Sequence, residues 1–121
     1  MTAKINIHHV EGVTVLEVTG RIALGDGAVV LRDAIQDALK TGAKKIVLDM
    51  GGTLYMDSAG LGELTLAFTA AKSNGCGVKL ARLTRKLDDL MQITKLATVF
   101  DVYPDQEHAV ASFSGYRPAA M

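Results

Sequence analysis

Apolar residues along this chain fall into two rhythms, short dense runs and helical repeats, and the two alternate. Residues 5–10 and 13–19 are dense in Ile, Val and Thr and read as strands. Glu11 and Gly12 form a two-residue turn between them, which predicts a hairpin. Gly20, Arg21 and Ile22 leave the second strand as a turn, and Gly25-Asp26-Gly27 breaks the chain. Asp26 is placed to cap a helix over residues 28–40. Leu31, Ile35, Ala38 and Leu39 share one face of that helix, and Arg32, Asp33, Gln36, Asp37 and Lys40 share the other. Gly42 ends it.

Residues 45–50 follow, with Ile46-Val47-Leu48 as the continuous apolar run of a strand covered on both faces. A loop over 51–57 leads to a helix over 58–74, in which Leu61, Leu64, Phe68 and Ala71 recur at helical spacing and Gly75 is the stop. Residues 78–81 read as a strand, 85–93 as a short helix facing Leu87, Leu90 and Met91 inward, and 98–102 as a last strand. Pro104 cannot sit inside a sheet and opens a final helix over 105–113. The order β-β-α-β-α-β-α-β-α predicts an α/β fold: a mixed, mostly parallel sheet with an N-terminal hairpin and about four helices. Residues 1–113 are expected to form one domain and 114–121 a flexible tail. In such sheets, binding loops gather at the carboxyl ends of the strands. That rule puts residues 20–22 and the segment before Ser58 on one rim.

Composition narrows the function class. The chain has 121 residues, 49% of them hydrophobic, enough for one domain with a real core. Thirteen basic residues balance thirteen acidic ones, and no basic face or stripe stands out, which disfavours nucleic-acid binding. The start of the chain lacks the apolar stretch of a signal peptide. The weakly polar run over 59–71 is interrupted by Glu63 and is too short to span a bilayer, so a soluble cytoplasmic protein is expected.

The candidate chemistry is concentrated in Met56-Asp57-Ser58-Ala59-Gly60-Leu61-Gly62, at the start of the second long helix. A helix N-terminus carries roughly half a positive charge and free N–H groups, so it accepts a phosphate readily. A serine there, beside a carboxylate and two glycines, suits reversible phosphorylation. The same position also suits a plain N-cap, and the two roles can coexist. Asp57 reads equally as a loop-capping residue or as a ligand for a metal that assists phosphoryl transfer. Thr84 precedes a helix and reads as a cap or as a second phosphosite.

Other residues carry less. His8 and His9 are adjacent, so they point to opposite faces of a strand, and with His108 they form no ligand set. Cys76 is the only cysteine and has no Cys-x-x-Cys partner, so a structural thiol is expected. Phosphate-binding glycine loops are absent, and so is Gly-x-Ser-x-Gly around Ser58. No catalytic residue, cofactor or metal is expected.

The chain resembles the STAS domain family of bacterial anti-sigma factor antagonists, over about residues 4–113. The resemblance rests on Gly20-Arg21-Ile22, Ile46-Val47-Leu48-Asp49, Asp57-Ser58-Ala59-Gly60-Leu61-Gly62, Leu80-Ala81-Arg82-Leu83 and Val99-Phe100-Asp101-Val102. It implies that Ser58 is the phosphoacceptor of a partner that is both anti-sigma factor and ATP-binding serine kinase. The unphosphorylated protein would bind that partner and free a sigma factor. A phosphoserine phosphatase would reset it. Asp57, Ser58, Ala59, Gly60, Leu61 and Gly62 would form the partner-binding segment, with Gly60 and Gly62 letting the partner's backbone come close. Gly20, Arg21 and Ile22 would join them by geometry rather than by motif. The family also includes adaptor subunits of lipid-transporting ABC systems, and related domains sit in stress-signalling complexes or sulphate transporters, so the alternative is an adaptor, with an ABC ATPase as its partner. The chain departs from the family between Asp49 and Asp57, where Gly51-Gly52 is expected to loosen the loop.

Overall fold

The computed structural model describes residues 3–23, 25–95 and 100–114. The elements run β1 (Lys4–Val10), β2 (Val13–Ile22), α1 (Asp26–Lys40), β3 (Lys45–Met56), α2 (Ser58–Ser73), β4 (Gly77–Ala81), α3 (Arg85–Ile93), β5 (Asp101–Tyr103) and α4 (Gln106–Ala111). Among the described residues the sheet has five strands, in sequence order. Only β1 and β2 are antiparallel; β2–β3, β3–β4 and β4–β5 are parallel. The hairpin turn is the expected one, with Glu11 (φ 50) and Gly12 (φ 81) both left-handed.

Parallel neighbours joined by right-handed crossovers in one direction place their helices on one face of the sheet. The packing agrees. Leu16, Val18, Ile46, Leu48, Met50 and Leu80 meet Leu31 and Ile35 of α1, Leu61 and Leu64 of α2, and Leu87 and Met91 of α3 in one core. The opposite face has a smaller core, in which Val13, Val15, Val47 and Ala81 pack on Ala109, Val110 and Phe113 of the α4 region.

Several boundaries differ from the sequence expectations. α1 begins at Asp26, with Gly25 (φ 98) as its cap residue and no side-chain cap, so Asp26 acts by its charge in the first turn. α4 starts one residue late because Asp105 is its cap, its carboxylate accepting the His108 N–H at 2.8 Å. The last strand is only three residues long, and Thr98 and Val99 lie outside the described residues, as does the tail from Gly115. The largest difference is in the sheet. β2 does not turn at Gly20 but continues to Ile22, and residues 51–56 are strand rather than loop.

That continuation is bent by two bulges. Glu17 pairs with Asp49 and Thr19 with Gly52, so Met50 and Gly51 together face Val18. Gly20 pairs with Thr53 and Arg21 with Tyr55, which leaves Leu54 extra. The glycines allow this through close packing. A Cβ on Gly51 would run into the Arg82 guanidinium, and one on Gly52 into Thr19 Cγ2. The double glycine is therefore a tight fit and not a loosened loop. Pairing between β3 and β4 stops at Asp49–Ala81, so residues 52–56 pair with β2 alone.

Candidate functional site

Ser58 sits at the first position of α2, exposed. The cap is Asp57, whose extended backbone (φ −106, ψ −172) aims its carboxylate at the Gly60 N–H, 3.0 Å away. Of the two readings open for Asp57, the structure supplies the capping one. Ser58 as the cap is corrected: an aspartate one residue earlier already fills that role. The Ser58 side chain therefore stands at the positive end of a 16-residue helix without being needed to start it.

The end of β2 seats this helix. The Asp57 N–H donates to the Ile22 carbonyl at 3.4 Å. A Cβ on Gly60 would collide with that same carbonyl oxygen and crowd Ile22 Cγ2. Gly60 is thus small for an internal reason, and the expectation that it admits a partner's backbone is corrected. Gly62 is exposed, with open space where a Cβ would be. Leu61 and Ile22 are buried in the core, and Gly20 is buried as well. Of the nine residues expected at the docking surface, Arg21, Ser58 and Gly62 are exposed, Asp57 and Ala59 are half-buried, and the other four support them from beneath.

The bulged end of β3 adds surface that residue spacing did not single out. Leu54 is 67% exposed and Tyr55 44%. The Arg21 guanidinium lies 4.5 Å from the centre of the Tyr55 ring, a cation–π contact across the β2–β3 pair. Between this edge and α3 lies a small notch of about 180 Å³, lined partly by Thr53, Leu54, Met56, Lys86 and Leu90. The Thr53 hydroxyl is buried and has no hydrogen-bond partner among the described residues. Thr84 accepts the Leu87 N–H at 3.2 Å and caps α3.

Behind the rim, on the α4 face, lies a polar cleft of about 500 Å³. Asp49, only 2% exposed, is its centre. One carboxylate oxygen accepts Arg82 Nε at 2.9 Å and the Gly51 N–H at 2.9 Å. The other accepts Gln106 Nε2 at 2.6 Å, and that nitrogen also donates to Glu17 at 2.6 Å. Burial pushes the Asp49 carboxyl up. The hydrogen bonds from Gln106, Gly51 and Arg82, with the Arg82 charge, outweigh burial and hold it below the usual carboxylate range. Residue spacing could not reveal this network, because Arg82 and Gln106 are 33 and 57 positions from Asp49.

The remaining candidates resolve simply. Cys76 is buried in the larger core, and burial pushes its thiol up to about 11, which makes it a poor nucleophile. His8 and His9 lie on β1, an edge strand. Among the described residues, no group of three or more His, Cys, Asp or Glu is gathered to hold a metal. No helix among them is long and apolar enough to cross a membrane.

Comparison with known proteins fits this architecture. The family model of the STAS domain matches residues 4–109. An anti-sigma factor antagonist from Mycobacterium paratuberculosis superposes with a TM-score of 0.83 at 21% identity, over 92% of this chain and 93% of that one. The Bacillus cell fate determinant SpoIIAA, in its phosphorylated form, superposes with a TM-score of 0.70 at 16% identity, over 90% and 98%. The murine anion transporter Slc26a9 gives 0.74 at 16% identity, over 89% of this chain but only 18% of the transporter. At these identities the likeness is one of fold.

Proposed function

The chain belongs to the STAS domain family, and on that footing we propose that it is an anti-sigma factor antagonist switched at Ser58. The unphosphorylated rim docks on an anti-sigma factor that is also an ATP-binding serine kinase. Docking frees the sigma factor for transcription. Phosphorylation of Ser58 ends the docking, and a phosphoserine phosphatase restores it. The protein acts in the cytoplasm by binding and carries no catalytic group of its own.

The observation that carries this reading is the division of labour at the start of α2. Asp57 caps the helix, so the exposed Ser58 hydroxyl is left free of that structural duty. A phosphate brings about −1.5 to −2 charges. The helix end tolerates it, because the dipole favours negative charge there. A docked partner does not: the new charge stands beside Asp57, on the surface it must touch. A hundredfold loss of affinity requires only about 2.7 kcal/mol. Structures related in fold support the reading from outside, two of them being an anti-sigma factor antagonist and phosphorylated SpoIIAA.

The test is a paired pull-down from native cytoplasmic extract with the wild-type protein and Ser58→Asp as baits. The reading expects a kinase-like ATPase on the wild-type bait and its loss from the variant. Retention of one ABC ATPase by both baits would overturn it. The domain would then be an adaptor, with Ser58 passive at the contact.

A further inference from the structure

We infer that Arg82 is the positioning residue of the Ser58 rim: it pins the first bulge of β3 and so fixes the direction in which the distal half of that strand, and the helix start after it, leave the sheet. The weak point is plain from the pairing. Beyond Asp49, β3 has lost β4 as a neighbour, and Met50 and Gly51 bulge against Val18. Bulges re-aim a strand, and one supported on a single side needs something else to hold its angle.

Arg82 supplies that support. It follows the last residue of β4 and adopts a left-handed backbone (φ 56), which a residue with a side chain holds only where its surroundings fix it. Its N–H donates to the Tyr103 carbonyl at 3.0 Å, tying it to the end of β5. From there its side chain reaches back over β3. The guanidinium lies flat across Gly51, in space that any Cβ there would fill. Its Nε and the Gly51 N–H converge on one Asp49 oxygen. One carboxylate therefore ties the bulge to Arg82, while its second oxygen ties the strand to Gln106 of α4. Tyr55 and Arg21 stack just beyond, and Ser58 lies two residues past the end of the strand.

The value of this clamp for docking rests on the phosphoswitch reading, but the clamp itself is a property of the free protein and is tested there. Amide hydrogen exchange is followed by NMR in wild type, Arg82→Ala, Arg82→Lys and Asp49→Asn, with Arg32→Ala as control for an ion pair elsewhere (Arg32–Glu63, 3.4 Å). Arg82→Ala and Asp49→Asn are expected to speed exchange about tenfold or more in residues 19–22 and 52–56, and to leave 46–48 and 78–80 protected. The Asp57 and Ser58 amide resonances shift with them. Arg82→Lys restores the charge but not the flat cover, and falls between. Arg32→Ala changes neither region. If Arg82→Ala fails to fold, Arg82→Lys and Asp49→Asn still report the pattern. A loss of protection spread evenly over the sheet, or unchanged exchange in 52–56, would overturn the inference.

Discussion

β3 changes character at Asp49. Its first half lies between β2 and β4, with Ile46, Val47 and Leu48 fully buried. Its second half pairs with β2 alone, takes two bulges, and ends with Leu54 and Tyr55 exposed. One half anchors the domain and the other presents a surface. The difference shows how one strand can carry a packed core and an exposed rim side by side. Burial of aliphatic side chains supplies stability where the strand is paired on both sides. Beyond Asp49, hydrogen bonds and one ion pair fix geometry instead.

The sharpest way to break this comparison is to mutate each half. Leu48→Ala is expected to destabilise the protein by about 2–5 kcal/mol, because it opens a cavity in a fully packed core. Tyr55→Ala is expected to stay within about 1 kcal/mol, losing one exposed cation–π contact. Urea denaturation of both variants measures the contrast, and equal losses would dissolve it.

Asp49, at the junction, comes next. Asp49→Asn removes hydrogen bonds to a charged acceptor and is expected to destabilise by about 1–3 kcal/mol at neutral pH. Its pH dependence has a definite sign. The folded-state pKa lies below the ordinary value of 3.8. The stabilisation it brings is therefore fully present above pH 4 or so, and is lost as pH falls through the folded pKa. Acid titration of stability should be steeper for wild type than for Asp49→Asn. Parallel curves would mean the carboxylate contributes nothing specific.

At the start of α2 the comparison turns on two glycines. Gly60→Ala forces a Cβ into the Ile22 carbonyl and is expected to cost about 1–3 kcal/mol. Gly62→Ala meets open space in a helix and is expected to stabilise by about 0.5–1 kcal/mol. Thermal denaturation distinguishes the opposite signs.

How much of this was legible in the sequence follows the same division. Pro104 marked α4; apolar periodicity located α1, α2 and α3, because their inward faces repeat at helical spacing and pack into one core. It also located the buried half of β3. It missed the distal half, where Gly51-Gly52-Thr53 reads as a loop but folds as bulged strand. Glycine signals a break when local preference is all that is known. Here it signals close approach, by a guanidinium that arrives from 31 residues away. The rim itself was legible in part. Ser58 was identified with its helix, but the assignment of the cap to Asp57 depended on a backbone angle. The inward role of Gly60 depended on where β2 ends. The Asp49–Arg82–Gln106 network left no local trace, since tertiary contact alone brings those residues together.

The smallest effect expected on stability is at Ser58. Ser58→Asp adds charge where the dipole favours it and Asp57 opposes it, so thermal stability should change by no more than about 0.5 kcal/mol. A loss of several kcal/mol would show that the helix end cannot tolerate charge, and a switch that acts by docking would be untenable.

The central claim is that this end of α2 receives a phosphate, and the direct measurement is phosphosite mapping. The purified protein is incubated with native extract and ATP, digested, and read by mass spectrometry. The account predicts one phosphoryl group, on Ser58, absent from a Ser58→Ala control. Modification at Thr84 with Ser58 untouched, or none under conditions where the partner is bound, would contradict it.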